Sequence, residues 1–154
     1  MKPIQFTCHA VISRPAKEIA AQILDLHRWP EFSGYGPLPG IRSAEFEVRA
    51  PEVVGTRIRV TNRDGSTHVE EIVEWDPKRI VRLKMGEFSP PVSRLAASFD
   101  ETWRFSERGS ETHVAREFAL HPKTWTARPI LWLIGRLLKK AVERHLAQIR
   151  DSKP

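Results

Sequence analysis

Cysteine is nearly missing from this 154-residue chain: Cys8 stands alone, so no internal disulfide can form. Long apolar runs are missing as well. Ile130 to Ile134 is soon followed by Arg136, Lys139 and Lys140, far short of the ~20 residues a bilayer span requires. The opening MKPIQFTCHAV lacks the apolar segment of a secretory signal. Together these absences set the expectation of a reducing, cytoplasmic setting without stable membrane insertion. The histidines, His9, His27, His68, His113, His121 and His145, lack the close paired spacing of a zinc site. There is also no GxGxxG fingerprint, P-loop or GxSxG elbow, and the GYG at Gly34 to Gly36 is a bare loop feature. Neither a metal nor an organic cofactor is expected. A small thiol between Phe6 and Ala10 reads as packing, since a nucleophilic Cys8 would need an activating base beside it.

What is present is a succession of strand-like segments closed by one long apolar helix. The length suits one domain, residues 1–154, with a real core. Ile4 to Ile12 alternates with period two, the pattern of a half-buried strand. Ser13 then offers an N-cap ahead of Pro15, and Ile19, Ile23, Leu24 and Leu26 follow at helical spacing. From Trp29 to Gly40 proline, glycine and aromatics crowd together, predicting at most a short helix and then a loop that is a candidate lid. Strands are expected over Ile41–Arg49, Val54–Asn62, Thr67–Trp75, Ile80–Met85, Leu95–Phe105 and Thr112–Leu120. Hairpin-length connections imply a single antiparallel sheet of about seven strands. Arg128–Arg150 supplies the helix that covers it. One helix cannot fill the concave face of so much sheet, so a small-molecule cavity is expected.

Phasing the hairpins predicts the inner face. A two-residue turn at Asp64-Gly65 sets Val60 opposite Val69 and Ile58 opposite Glu71, which puts Glu71 among apolar side chains. A similar turn at Arg108-Gly109 sets Glu101 opposite Arg116 and Phe99 opposite Phe118, with Trp103 on the same face. On the outer face Arg59 would oppose Glu70, and Glu74 would lie near Arg82, a solvated ladder that accounts for much of the basic charge. The formal charge is +6. Because Trp75, Phe99, Trp103 and Phe118 fall on the inner face, the basic residues lack the interleaved exposed aromatics that nucleic-acid binding calls for, and no nucleic-acid partner is expected.

Each polar candidate has two readings. Glu101 and Arg116 are either an ion pair that only fixes register, or an arginine that orients a ligand carbonyl or carboxylate with the acid tuning it. Glu71 is either a rim residue in water or a cavity acid or base whose pKa is raised by desolvation. His145 shares the helical stripe of Leu131, Ile134, Leu138, Ala141 and Ile149. It is either a structural residue near a helix C-terminus or a cavity acid or base. Trp132, Leu133 and Leu137 widen the apolar surface beyond that stripe, leaving area for the short helices or a homodimer partner to cover.

Several pieces carry a resemblance: Ile12-Ser13-Arg14-Pro15 entering the first helix, Trp29-Pro30 with Phe32, Trp75-Asp76-Pro77 at a hairpin, and Trp103-Arg104-Phe105 before the Gly109 turn. With the element order, they make the chain resemble the START-like (SRPBCC) superfamily, and within it the polyketide cyclase/dehydrase and lipid-transport group. The resemblance implies an α+β helix-grip fold, with a curved seven-stranded antiparallel sheet wrapped around the C-terminal helix and two short helical segments after the first strand. It also implies a cavity for hydrophobic ligands. It carries over no catalytic residue. The expected lining is Phe99, Trp103, Phe118, Trp75, Leu83, Met85 and Ile58 from strands, Tyr35 from the loop and Leu138 from the helix, together with Glu101 and Arg116. Glu71 and His145 are the speculative catalytic candidates. Three functions remain open: a binder of a polyketide, lipid or isoprenoid, a cyclase- or dehydratase-type enzyme, and a protein-interaction module such as a chaperone activator.

Overall fold

The computed structural model describes residues 1–152. Strand β1 (Ile4–Ile12) leads into helix α1 (Ala16–Leu24), a 3-10 helix (Leu26–Glu31) and a small hairpin, β2 (Gly34–Tyr35) with β3 (Leu38–Pro39). Strands β4 (Ile41–Val48), β5 (Arg57–Asn62), β6 (Thr67–Asp76) and β7 (Ile80–Gly86) follow, then a single helical turn α2 (Val92–Leu95). Strands β8 (Ala96–Arg108) and β9 (Glu111–Pro122) precede the long helix α3 (Arg128–Asp151). The seven long strands form one antiparallel sheet in the order β1-β9-β8-β7-β6-β5-β4, with α3 lying across it.

The α+β architecture and the two helical segments after β1 match expectation, but the β2–β3 hairpin stands where a loop is expected, and there are two further local differences. Pro15, not Ser13, occupies the N-cap of α1, and no side chain caps it. The turn before it is held by Arg14, whose guanidinium reaches the Ser152 carbonyl and, at 2.8 Å, the Ser152 hydroxyl. Buried Arg14 therefore fastens the β1–α1 corner to the end of α3. The second difference is α2, a turn the sequence pattern does not announce.

Two hairpins close differently from their predicted turns. The β5–β6 loop has three residues, with Asn62 and Ser66 as the closing pair and Gly65 at φ +88°. An Asp64 carboxylate oxygen accepts the Ser66 N–H at 2.9 Å and its hydroxyl at 2.5 Å. Lengthening the loop by one residue shifts the register by one, so Ile58 faces Glu70 and Arg57 faces Glu71. A bulge between Ile72 and Glu74 then restores the predicted phase downstream, where Trp75 pairs with Val81 and Glu74 with Arg82. At β8–β9 the turn is Gly109-Ser110, so Trp103 pairs with Arg116 and Glu101 with Phe118. That shift is two residues along the strand, which preserves every face.

Helix α3 seats closely on β1 and β9 at Gly135, where an added Cβ would lie 3.2 Å from Leu120 and 3.3 Å from Ile4 side-chain carbons. The 3-10 helix covers the far end of the sheet through Leu26, Trp29 and Phe32, packed on Ile41, Ile58 and Val60. The indole N–H of Trp29 donates to the Ile23 carbonyl at 3.1 Å. Between these two anchorages the sheet and helix stand apart.

Candidate functional site

The gap is a cavity of about 420 Å³ bounded by the concave face of the sheet, α3, the 3-10 helix and the segment after β7. Period-two alternation aims Leu83, Met85, Phe99, Trp103 and Phe118 inward, while helical spacing brings Ile134, Leu138, Val142, His145 and Ile149 to the opposite wall. Phe88 closes one side, its ring 4.7 Å from that of Phe99. Apolar side chains dominate the lining.

Inside this apolar shell three polar groups form a chain. The Arg116 Nε–H donates to Glu101 Oε2 at 2.7 Å, with Nη2 at 2.5 Å from the same oxygen. Its Nη1 lies 2.9 Å from His145 Nδ1. The guanidinium carbon also sits 4.1 Å from the Trp103 ring centroid, a cation–π contact that keeps the planar group flat against the wall. Glu101 is 3% exposed and Arg116 5%, so both charges are fully withdrawn from water. Burial pushes the Glu101 carboxyl above the ordinary carboxylate range against the opposing pull of Arg116, and nearby Glu70 pushes the same way. His145 moves in the opposite sense. Desolvation, then the positive charges of Arg116 and Arg28, bring it down to about 3, so the imidazole is neutral at neutral pH. An arginine N–H can only donate, so Nδ1 must accept and Nε2 must carry the proton.

A second polar pair lines the same cavity: His68 Nε2 lies 2.9 Å from Glu70 Oε2, and both side chains are largely buried. Arg28 contributes a third polar element. Its buried Nε lies 3.4 Å from Glu31 Oε1, near enough for charge attraction but without a hydrogen bond.

Of the predicted site residues, Arg116, Glu101, Phe99, Trp103, Phe118, Leu83, Met85, Leu138 and His145 come together around the cavity. Four do not. Glu71 projects from the outer face, where Arg57 Nη1 reaches it at 3.2 Å, because the three-residue loop reverses the face expected for it. Its neighbour Glu70 takes the inward position, so Arg59 pairs with Glu47 at 2.6 Å and not with Glu70. Ile58 is buried under the 3-10 helix, away from the cavity. Trp75 packs against the main core, and Tyr35 is exposed beside Arg144.

The cavity also holds His68, Arg28, Phe32 and Phe88, which the sequence pattern does not assign to it, and Glu70, which the two-residue turn sets on the outer face. For His68 and Glu70 the available signal was Ser66, whose position after Asp64-Gly65 suits the longer, side-chain-bonded loop. Cys8 is no part of the cavity. Its thiol is pushed up to about 11, chiefly by burial, and it points to the Lys139 carbonyl at 3.6 Å. Among the described residues no three metal-capable side chains cluster, and no helix is long and apolar enough to cross a membrane.

The family model described as polyketide cyclase / dehydrase and lipid transport matches residues 3–152. No curated protein matches the chain. Among solved structures, protein TTHA0849 from Thermus thermophilus aligns with a TM-score of 0.71 at 18% identity, covering 96% of this chain and 94% of that one. A START superfamily protein from Mycobacterium smegmatis gives 0.67 at 11% identity, covering 94% and 98%. Major latex-like protein 151 from Panax ginseng gives 0.66 at 16%, again covering 94% and 98%. At such identities the likeness is one of fold, the helix-grip fold.

Proposed function

Because the chain belongs to the polyketide cyclase / dehydrase and lipid transport family, we propose that it binds a small, mostly apolar molecule bearing an oxygen that can accept a hydrogen bond. The observation that carries this reading is the Arg116–His145 contact inside an apolar cavity. A neutral imidazole with its proton fixed on Nε2 is a directed donor, and a carbonyl, ether or hydroxyl oxygen is its natural complement. The aromatic and aliphatic lining supplies the affinity, and the His145 donor supplies orientation. Polyketides, isoprenoids and oxygenated lipids all have this chemistry.

The test is a fluorescence titration with prodan, an uncharged naphthyl ketone, beside its carbonyl-free dimethylnaphthylamine parent. His145→Phe weakens prodan binding about tenfold, the worth of one buried hydrogen bond, and leaves the parent compound unaffected. Equal effects on the two probes overturn the proposal.

A second reading, proton transfer of the cyclase or dehydratase kind, is favoured by one observation: two carboxyl groups, Glu70 and Glu101, share the cavity, and Glu101 is shifted upward. His145 is too weak a base to serve at neutral pH. Under this reading Glu70→Gln abolishes turnover of a polyketone substrate while binding is retained.

A further inference from the structure

The outer side of α3 and the segment leading into it differ in composition from the rest of the surface. Trp125, Ile130, Trp132 and Leu133 are between 53% and 76% exposed. They are four of the ten large hydrophobic side chains exposed among the described residues, gathered within one short stretch. No acidic residue occurs between Glu117 and Glu143, while Lys123, Arg128, Arg136, Lys139 and Lys140 all fall there. None of these five cations forms an ion pair among the described residues, so their charge is not offset locally. Arg136 lies over the exposed Trp132 ring, 5.3 Å from its centroid. The first turn of α3 has no acidic side chain to offset the positive helix end.

We propose that this Lys123–Lys140 surface docks on anionic lipid bilayers. The side chains divide as an interface requires: indoles at headgroup depth, Ile130 and Leu133 at the acyl boundary, and lysine and arginine on the anionic headgroups. A second copy of the chain packed on the same patch would set like cations against one another. A nucleic acid would use the cations and indoles but would leave the aliphatic pair in water. Helix α3 also contributes Ile134, Leu137 and Leu138 to the cavity wall, so docking brings the cavity to within the width of one helix of the lipid. The docking claim stands on the surface alone and does not depend on what the cavity holds.

The experiment is co-sedimentation of the full chain with vesicles of phosphatidylcholine, with and without a minor fraction of phosphatidylserine. Binding is expected only with phosphatidylserine, and it weakens as salt is raised. Trp132→Ser, and separately the pair Arg136→Ser with Lys140→Ser, each lower the partition constant about tenfold while circular dichroism is unchanged. Failure to bind phosphatidylserine vesicles, or variants that bind like the parent, overturns the proposal. It is equally overturned if Trp132→Ser abolishes a dimer seen by sedimentation velocity, or abolishes binding of a fluorescent oligodeoxythymidine tighter than that to vesicles.

Discussion

Arg116 fixes the tautomer of His145. With Nη1 2.9 Å from Nδ1, the guanidinium donates, and the imidazole must accept there and keep its proton on Nε2. Burial of the ring opposes its protonation, and the positive charges of Arg116 and Arg28 add to that. The proposed ligand donor, Nε2–H, is thereby held in one tautomer.

Removing the arginine is costly for a separate reason. Arg116→Met strands Glu101 in the interior and is expected to lose about 3 to 5 kcal/mol in urea unfolding. The double variant Glu101→Met with Arg116→Met recovers most of that loss, since no buried charge is left unpaired. If the single and double variants are equally unstable, the pair does not behave as a buried ion pair.

Acid should destabilise the fold through His145. Its folded pKa lies near 3, below the unfolded value of 6.5. The unfolded state therefore binds the proton first, and the stabilisation from a neutral ring, complete above pH 6.5, is lost progressively as pH falls toward 3. Between pH 7 and pH 5 this amounts to about 2 kcal/mol. His145→Phe should remove that part of the slope, as measured by unfolding at the two pH values.

The adjacent glutamates of β6 should respond in opposite ways. Glu71→Gln touches only an exposed cluster around Arg57 and leaves both the thermal midpoint and prodan affinity unchanged. Glu70→Gln changes prodan affinity severalfold, because Glu70 lines the cavity and its exchange alters the His68 hydrogen bond there. The reverse pattern in the titration would return Glu71 to the cavity and refute the observed register.

Gly135 sets how closely α3 approaches the sheet. Gly135→Leu forces a side chain against Leu120 and Ile4 and is expected to cost about 1 to 3 kcal/mol by overpacking. Calorimetry measures this directly, and an unchanged midpoint would mean that the helix lifts freely from β1 and β9.

How far the sequence could be read follows from which features are local. The alternation of Ile4–Ile12, the stripe of α3 and the hairpin spacing are visible along the chain, and they suffice for the sheet, the covering helix and a cavity between them. The pairing of Glu101 with Arg116 was legible because a register error of two residues preserves faces. Glu71 was misplaced because an error of one reverses them, and one extra loop residue is decided by the Asp64–Ser66 hydrogen bonds, a matter of turn geometry. Trp75 came out on the expected face only because the Ile72–Glu74 bulge cancels that error. The Arg28 and Phe32 walls depend on how the 3-10 helix folds over the sheet, and periodicity has no access to that.

In the proposed complex a neutral His145, donating through Nε2, orients an oxygen-bearing ligand inside the cavity. Nitrogen-15 correlation spectroscopy of the imidazole rings, with and without saturating prodan, addresses this most directly. Nδ1 is expected to be unprotonated throughout, and the His145 Nε2–H resonance to shift with prodan but not with the carbonyl-free parent. A protonated Nδ1, or a ring resonance indifferent to prodan while prodan is bound, would contradict this role of His145.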